Sequence, residues 1–148
     1  MAFRFALAPL LRLRQSVERQ RMLALQNAVV QLSVAKESVA RLDRFLEESA
    51  DRDAASLSAG RRASELQFAV LLREQLRQLR VRLQEEVARL EVVRQELAAA
   101  YEQAFRQREV LENLRNRMST AYEVEQGRRE QRRLDIVYLL QRWHHRKG

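Results

Sequence analysis

Residues 69–121 read AVLLREQLRQLRVRLQEEVARLEVVRQELAAAYEQAFRQREVLENLRNRMSTA, and a seven-residue register laid over them decides the fold. Ala69, Leu72, Leu76, Leu79, Leu83, Glu86, Leu90, Val93, Leu97, Ala100, Ala104, Gln107, Leu111, Leu114, Met118 and Ala121 follow one another at steps of three and four, and only Glu86 and Gln107 are polar. Such steps average about 3.5 residues, just short of a helical turn, so the seam stays aligned only if the helix supercoils left-handedly around a partner. A helix carrying this seam requires cover.

Working outward, a second and shorter heptad lies on the N-terminal side: Leu25, Ala28, Leu32, Ala35, Val39, Leu42 and Leu46. Before it the register is read to slip between Leu13 and Leu25, through Val17 and Met22. Phe3, Phe5, Leu7, Leu10, Leu11 and Leu13 open the chain, with Pro9 tolerable near a helix start because the first N–H groups have no helical partner there. Between the two heptads, SADRDAASLSAGRRAS at 49–64 loses the period and gathers Asp51, Asp53, Ser56, Ser58 and Gly60, which reads as a connection. Ser64 and Gln67 have capping-box spacing, placing the next helix start near Glu65.

The expectation is therefore a single all-α domain over 1–148, an antiparallel two-helix coiled coil or helical hairpin. Helix one covers about 5–48, the tip 49–64 and a longer, overhanging helix two about 65–143. At 1.5 Å per residue these helices measure roughly 65 and roughly 120 Å. If Leu46 faces Leu76, helix one runs out opposite about residue 117, and the seam lapses there: past Ala121 the same register reads Glu125, Arg128, Arg132 and Asp135. Beyond it Ile136, Leu140 and Trp143 form a different apolar stripe, with Tyr138 and Leu139 beside it, which nothing in the chain remains to cover.

Composition narrows function. With 3 Gly, 1 Pro and 32% charged residues the chain is built as long helix, and a two-helix rod offers no deep cleft for a small molecule, so no enzyme is expected. The absence of Cys removes thiol chemistry and cysteine-ligated zinc. His144 and His145 are adjacent and lack the i, i+4 spacing of a shared metal, so neither metal nor cofactor is expected. The Glu residues of helix two lie among Arg at helical spacing, the pattern of a solvated, ion-paired face. No signal peptide is read in the Arg-interrupted N-terminus, and the apolar run Phe68 to Leu72 is far short of the ~20 residues that span a bilayer, so no membrane insertion is expected.

Net charge is +8, and it sits at the ends. Residues 1–21 hold five Arg against Glu18, and residues 128–148 hold six Arg and Lys147 against Glu130 and Asp135. Basic ends on a near-neutral body suit an acidic partner surface. Nucleic acid is disfavoured as that partner, because Glu130 and Asp135 interrupt the cluster and no Asn stands in it to read bases. A basic coiled-coil nucleic-acid binder stays open as a rival, to be told apart by salt-sensitive binding to arbitrary duplex.

Both ends resemble one family. FRFALAPLLRLRQSVERQ at 3–20 is similar to the N-terminus of FliJ, the coiled-coil component of the flagellar type III export apparatus, and REQRRLD at 129–135 resembles its C-terminal motif. Ile136 departs from the family pattern, which has an acidic residue there. The resemblance implies an antiparallel coiled-coil stalk at the cytoplasmic face of the inner membrane, at the flagellar base. It also implies binding to the hexameric export ATPase, promotion of its assembly and activity, and engagement of the cytoplasmic domain of the export gate protein FlhA. Carried onto this chain, Arg12, Arg14, Arg128, Arg129, Arg132 and Arg133 face the ATPase, while Phe68, Leu72 and Leu76 supply the gate contact, the two leucines fitting the seam equally well. An export chaperone for flagellar substrates is the other rival function, export chaperones are further candidate partners, and a second copy of the chain stays open as one.

Overall fold

The computed structural model describes residues 2–60 and 62–148. Two helices account for nearly all of them, α1 (Ala8–Ser58, 51 residues) and α2 (Ala63–Lys147, 85 residues), packed against each other as an antiparallel hairpin whose C-terminal helix is the longer. Contacts group into two units, one joining the chain up to Glu18 with Gln103–Gly148 and the other comprising Arg19–Glu102.

α1 starts at Ala8, so Pro9 falls in its first turn, where the missing N–H costs nothing. The Leu7 carbonyl takes the first helical bond, from the Leu11 N–H at 2.9 Å. Counted back from Leu25 in steps of four and three, the register of α1 reads Arg21, Glu18, Arg14 and Leu11; Arg21 is exposed, Glu18 and Arg14 are half-buried and Leu11 is 3% exposed. Val17 is half-buried too, while residues 19–23 are all exposed, so regular burial lapses within the stretch where the sequence reads a slip.

A correction concerns the connection. Helix one does not end near residue 48 but continues to Ser58, and what remains of the expected tip is residues 59–62, of which 61 lies outside the described residues. The polar residues of this segment are accommodated inside the helix. Ser56 donates its hydroxyl to the Arg52 carbonyl at 2.8 Å and Ser58 to that of Ala55 at 2.6 Å, so neither competes for helix-breaking partners. Ser49, Asp53 and Ser56 occupy the next seam positions, and Asp53 is 9% exposed because it pairs with Arg73 of α2. α2 in turn begins at Ala63, its first bonds running from Glu65 and Leu66 N–H to the Arg62 carbonyl, so Ser64 lies inside the first turn and not at the cap.

Gly60 has φ +78°, a conformation that any side chain strains, two residues beyond the end of α1. Gly127, by contrast, is an ordinary helical residue with open space around it. Gly60→Ala is therefore expected to lower stability by about 1 kcal/mol, and Gly127→Ala to raise local helix stability by about the same amount. Chemical denaturation for the first and helicity of the C-terminal segment for the second check the opposite signs.

In the Arg19–Glu102 unit the core is Ala28, Leu32 and Val39, all at most 8% exposed, against the seam of α2. In the other unit Leu11 and Ala104 are the buried pair of positions, and the Phe3 and Tyr122 rings meet at 5.7 Å. Every seventh residue of the α2 seam from Ala69 to Leu111 is as the register has it: Ala69, Leu76, Leu83, Leu90, Leu97 and Leu111 are half-buried and Ala104 is buried, whereas Met118 and Ala121 at the seam's end are exposed. The alternate positions shift toward the next residue. Arg73, Arg80 and Arg115 are less exposed than Leu72, Leu79 and Leu114, while in between both neighbours are half-buried, as with Glu86 and Val87 or Val93 and Arg94. An arginine lays its aliphatic stem along the seam and carries its charge to the rim, a role that an apolar-only count overlooks.

Candidate functional site

The arginines of the seam edge reach across the hairpin. Within the Arg19–Glu102 unit Arg73 pairs with Asp53, and Arg80 grips Asp43 through Nε and through Nη2, the latter at 3.4 Å from Oδ2. In the other unit Arg108 pairs with both Glu18 and Glu112, and Arg14 donates to Gln107 Oε1 at 2.8 Å. The last contact explains Gln107, one of the two polar breaks in the register. Burial works against the Arg108 charge, but Glu18 and Glu112 more than offset it, so its pKa is raised; the Asp43 hydrogen bond raises that of Arg80. Residues 20 to 93 apart in the chain are thereby fixed opposite one another, which sets the register.

These cross-helix pairs are structural, and they separate the six basic candidates. Arg14 is half-buried and engaged with Gln107, whereas Arg12, Arg128, Arg129, Arg132 and Arg133 are exposed. Of these, Arg129 makes a loose contact with Glu125 at 3.5 Å one turn back, and Gln131 donates to Asp135 at 3.1 Å. From Gly127 to Gly148 every residue is exposed, although α2 stays helical to Lys147. The stripe beyond the arginines is equally open: Ile136 is 56% exposed, Leu140 and Trp143 54% each. Lys147 sits 4.0 Å from the centre of the Trp143 ring, a cation–π contact within one turn that holds the indole at the helix surface.

At the opposite end of α2 the three gate candidates, Phe68, Leu72 and Leu76, line one groove of about 280 Å³ whose other wall is Ser49, Arg52 and Ser56 of α1. They differ in exposure: Leu76 is half-buried in the seam, while Phe68 is 69% and Leu72 43% exposed. Val70 and Leu71, also exposed, extend the apolar surface around the helix. Leu72 is free for this role because Arg73 has taken its place in the seam, something the heptad alone did not reveal.

The chain matches the family model described as flagellar FliJ protein over residues 3–148, essentially its whole length. It belongs to the FliJ family. No curated protein and no solved structure matches it. FliJ-family membership implies a role in the flagellar export apparatus. Among the described residues no helix is long and apolar enough to cross a membrane, and no group of three or more acidic or histidine side chains could hold a metal ion.

Proposed function

We propose that this FliJ-family chain is the stalk of the flagellar type III export apparatus. It binds the export ATPase ring through its C-terminal helix, promotes assembly and activity of the ring, and links it to the cytoplasmic domain of the export gate protein FlhA. The observation that carries the reading is the free end of α2, helical and exposed throughout, with four arginines followed by an apolar stripe. Arg128, Arg129, Arg132 and Arg133, with Arg12, attract an acidic ring lining. Ile136, Leu140 and Trp143 then supply apolar area to bury.

One helix inside a ring of identical subunits meets each at a different angle, so it stabilises different conformations in different subunits and acts by differential contact. Binding the assembled ring more tightly than single subunits also drives assembly by mass action. The site of action is the cytoplasmic face of the inner membrane at the flagellar base, where the chain is peripheral. Co-purification with the cognate export ATPase, followed by assays of hexamer formation and hydrolysis, tests this. Joint elution with faster hydrolysis is expected; no association at low salt would overturn the reading.

The gate contact falls to Phe68 and Leu72, with Leu76 supporting them from the core. Phe68→Asp with Leu72→Asp is expected to weaken association with the FlhA cytoplasmic domain at least about tenfold, since each side chain stabilises an apolar contact by about 1.5–3 kcal/mol. Helicity and ATPase binding should not change, because both side chains are exposed in the hairpin. Equal loss of both partners would instead indicate a folding defect.

A further inference from the structure

α1 carries a second heptad on the side away from its own hairpin seam. Gln20, Leu23, Asn27, Val30 and Val34 follow at steps of three, four, three and four, and lie two residues, about 200° around the helix, from the seam positions Leu25, Ala28 and Leu32. All five are exposed, Leu23 at 57%, Val30 at 61% and Val34 at 58%. Scattered exposed valines would need no explanation. Here, however, residues 22–35 contain no charged side chain at all, in a chain of which 32% is charged. The ends of the stretch are marked by Arg21 and Lys36, and the next outer position, Glu37, is held by Arg41 at 2.6 Å.

We propose that this face is a homotypic contact, through which α1 of one chain packs parallel and in register on α1 of a second copy. A charge-free surface selects neither an acidic nor a basic partner. For a chain of net charge +8 it is also where two copies can approach without like charges meeting. The central amide decides the orientation. In a parallel pair Asn27 meets its own counterpart, each amide both donating and accepting, which is the arrangement a polar residue in the a position of a coiled coil specifies. In an antiparallel pair Asn27 would face Leu23 or Val30 and lose its partner. The positions flanking the parallel contact, Gln26 with Gln31 and Ser33 with Ser38, are uncharged as well. In the next layer Glu37 would oppose Glu37 and ends the pairing. Five layers make a weak contact, with a dissociation constant on the order of 100 µM. None of these residues belongs to the ATPase or gate surfaces, so this proposal stands or falls separately from the stalk reading.

Sedimentation of the full-length chain from about 10 µM to about 1 mM is the test, with its mass expected to rise from the 17.5 kDa monomer toward a dimer, equally at low and high salt. Asn27→Asp, nearly the same shape but placing two carboxylates at the contact, should raise the dissociation constant at least tenfold with no loss of helicity. Because the chain has no Cys, Val30→Cys should give a disulfide-linked dimer under mild oxidation, and Val81→Cys, exposed on α2, should not. A monomer at every concentration, a dimer indifferent to Asn27→Asp, or equal crosslinking of the two cysteine variants would each overturn the proposal. A dimer abolished by Leu140→Glu but not by Asn27→Asp would do so too, moving the contact to the C-terminal stripe.

Discussion

Reversing the charge of Arg128, Arg129, Arg132 and Arg133 together to Glu is expected to weaken association with the export ATPase by more than about a hundredfold, and to abolish stimulation of its hydrolysis, while leaving far-UV circular dichroism unchanged. The magnitude follows from four exposed cations on one helical segment, each giving about 1 kcal/mol or more against an acidic surface and each repelled once reversed. The fold is spared because none of the four takes part in the hairpin; the loose Arg129–Glu125 contact within α2 is solvent-exposed and contributes little. Salt gives an independent readout: wild-type association should fall steeply between low and physiological ionic strength. Full stimulation by the reversed variant would remove these residues from the ATPase contact and leave the apolar stripe to carry it.

Arg108→Ala is expected to lower stability by about 2–3 kcal/mol, a fall in Tm of about 6 °C. The guanidinium and the Glu18 carboxylate are only 19% and 17% exposed, so removal of one leaves the other in a largely desolvated place without its counter-charge. Arg108 also lies 4.9 Å from the centre of the Phe105 ring, and truncation forfeits that contact with the stem. The decisive comparison is Glu18→Leu combined with Arg108→Leu. Because a buried ion pair contributes little net stability over a well-packed apolar pair, the double variant should recover most of the loss. Thermal unfolding of the three proteins checks this, and a double variant as unstable as Arg108→Ala would assign the cost to lost packing.

Much of the architecture was legible beforehand. The α2 seam demanded cover, Leu25 to Leu46 supplied it, and facing Leu46 with Leu76 placed the end of that cover near residue 117; in the structure Phe3 meets Tyr122 and exposure is complete from Gly127. The errors share one origin. The sequence reads Ser49 to Ser64 as a connection, whereas 49–58 is helix, because polar residues at seam positions carry no signal in an apolar count. Arg14 among the ATPase candidates likewise turns inward, to Gln107.

Sequence alone determined that two unequal helices must pair and that the longer must project as a basic end, since a 3.5-residue apolar repeat cannot stand in water and a shorter arm cannot cover a longer one. Only the tertiary structure decided which charged side chains finish the seam. Asp53, Asp43 and Glu18 find Arg73, Arg80 and Arg108 across the hairpin. The physical reason is that burial of an apolar group is favourable whatever lies opposite, whereas a buried charge is tolerated only beside its counter-charge, and that neighbour is named by the fold.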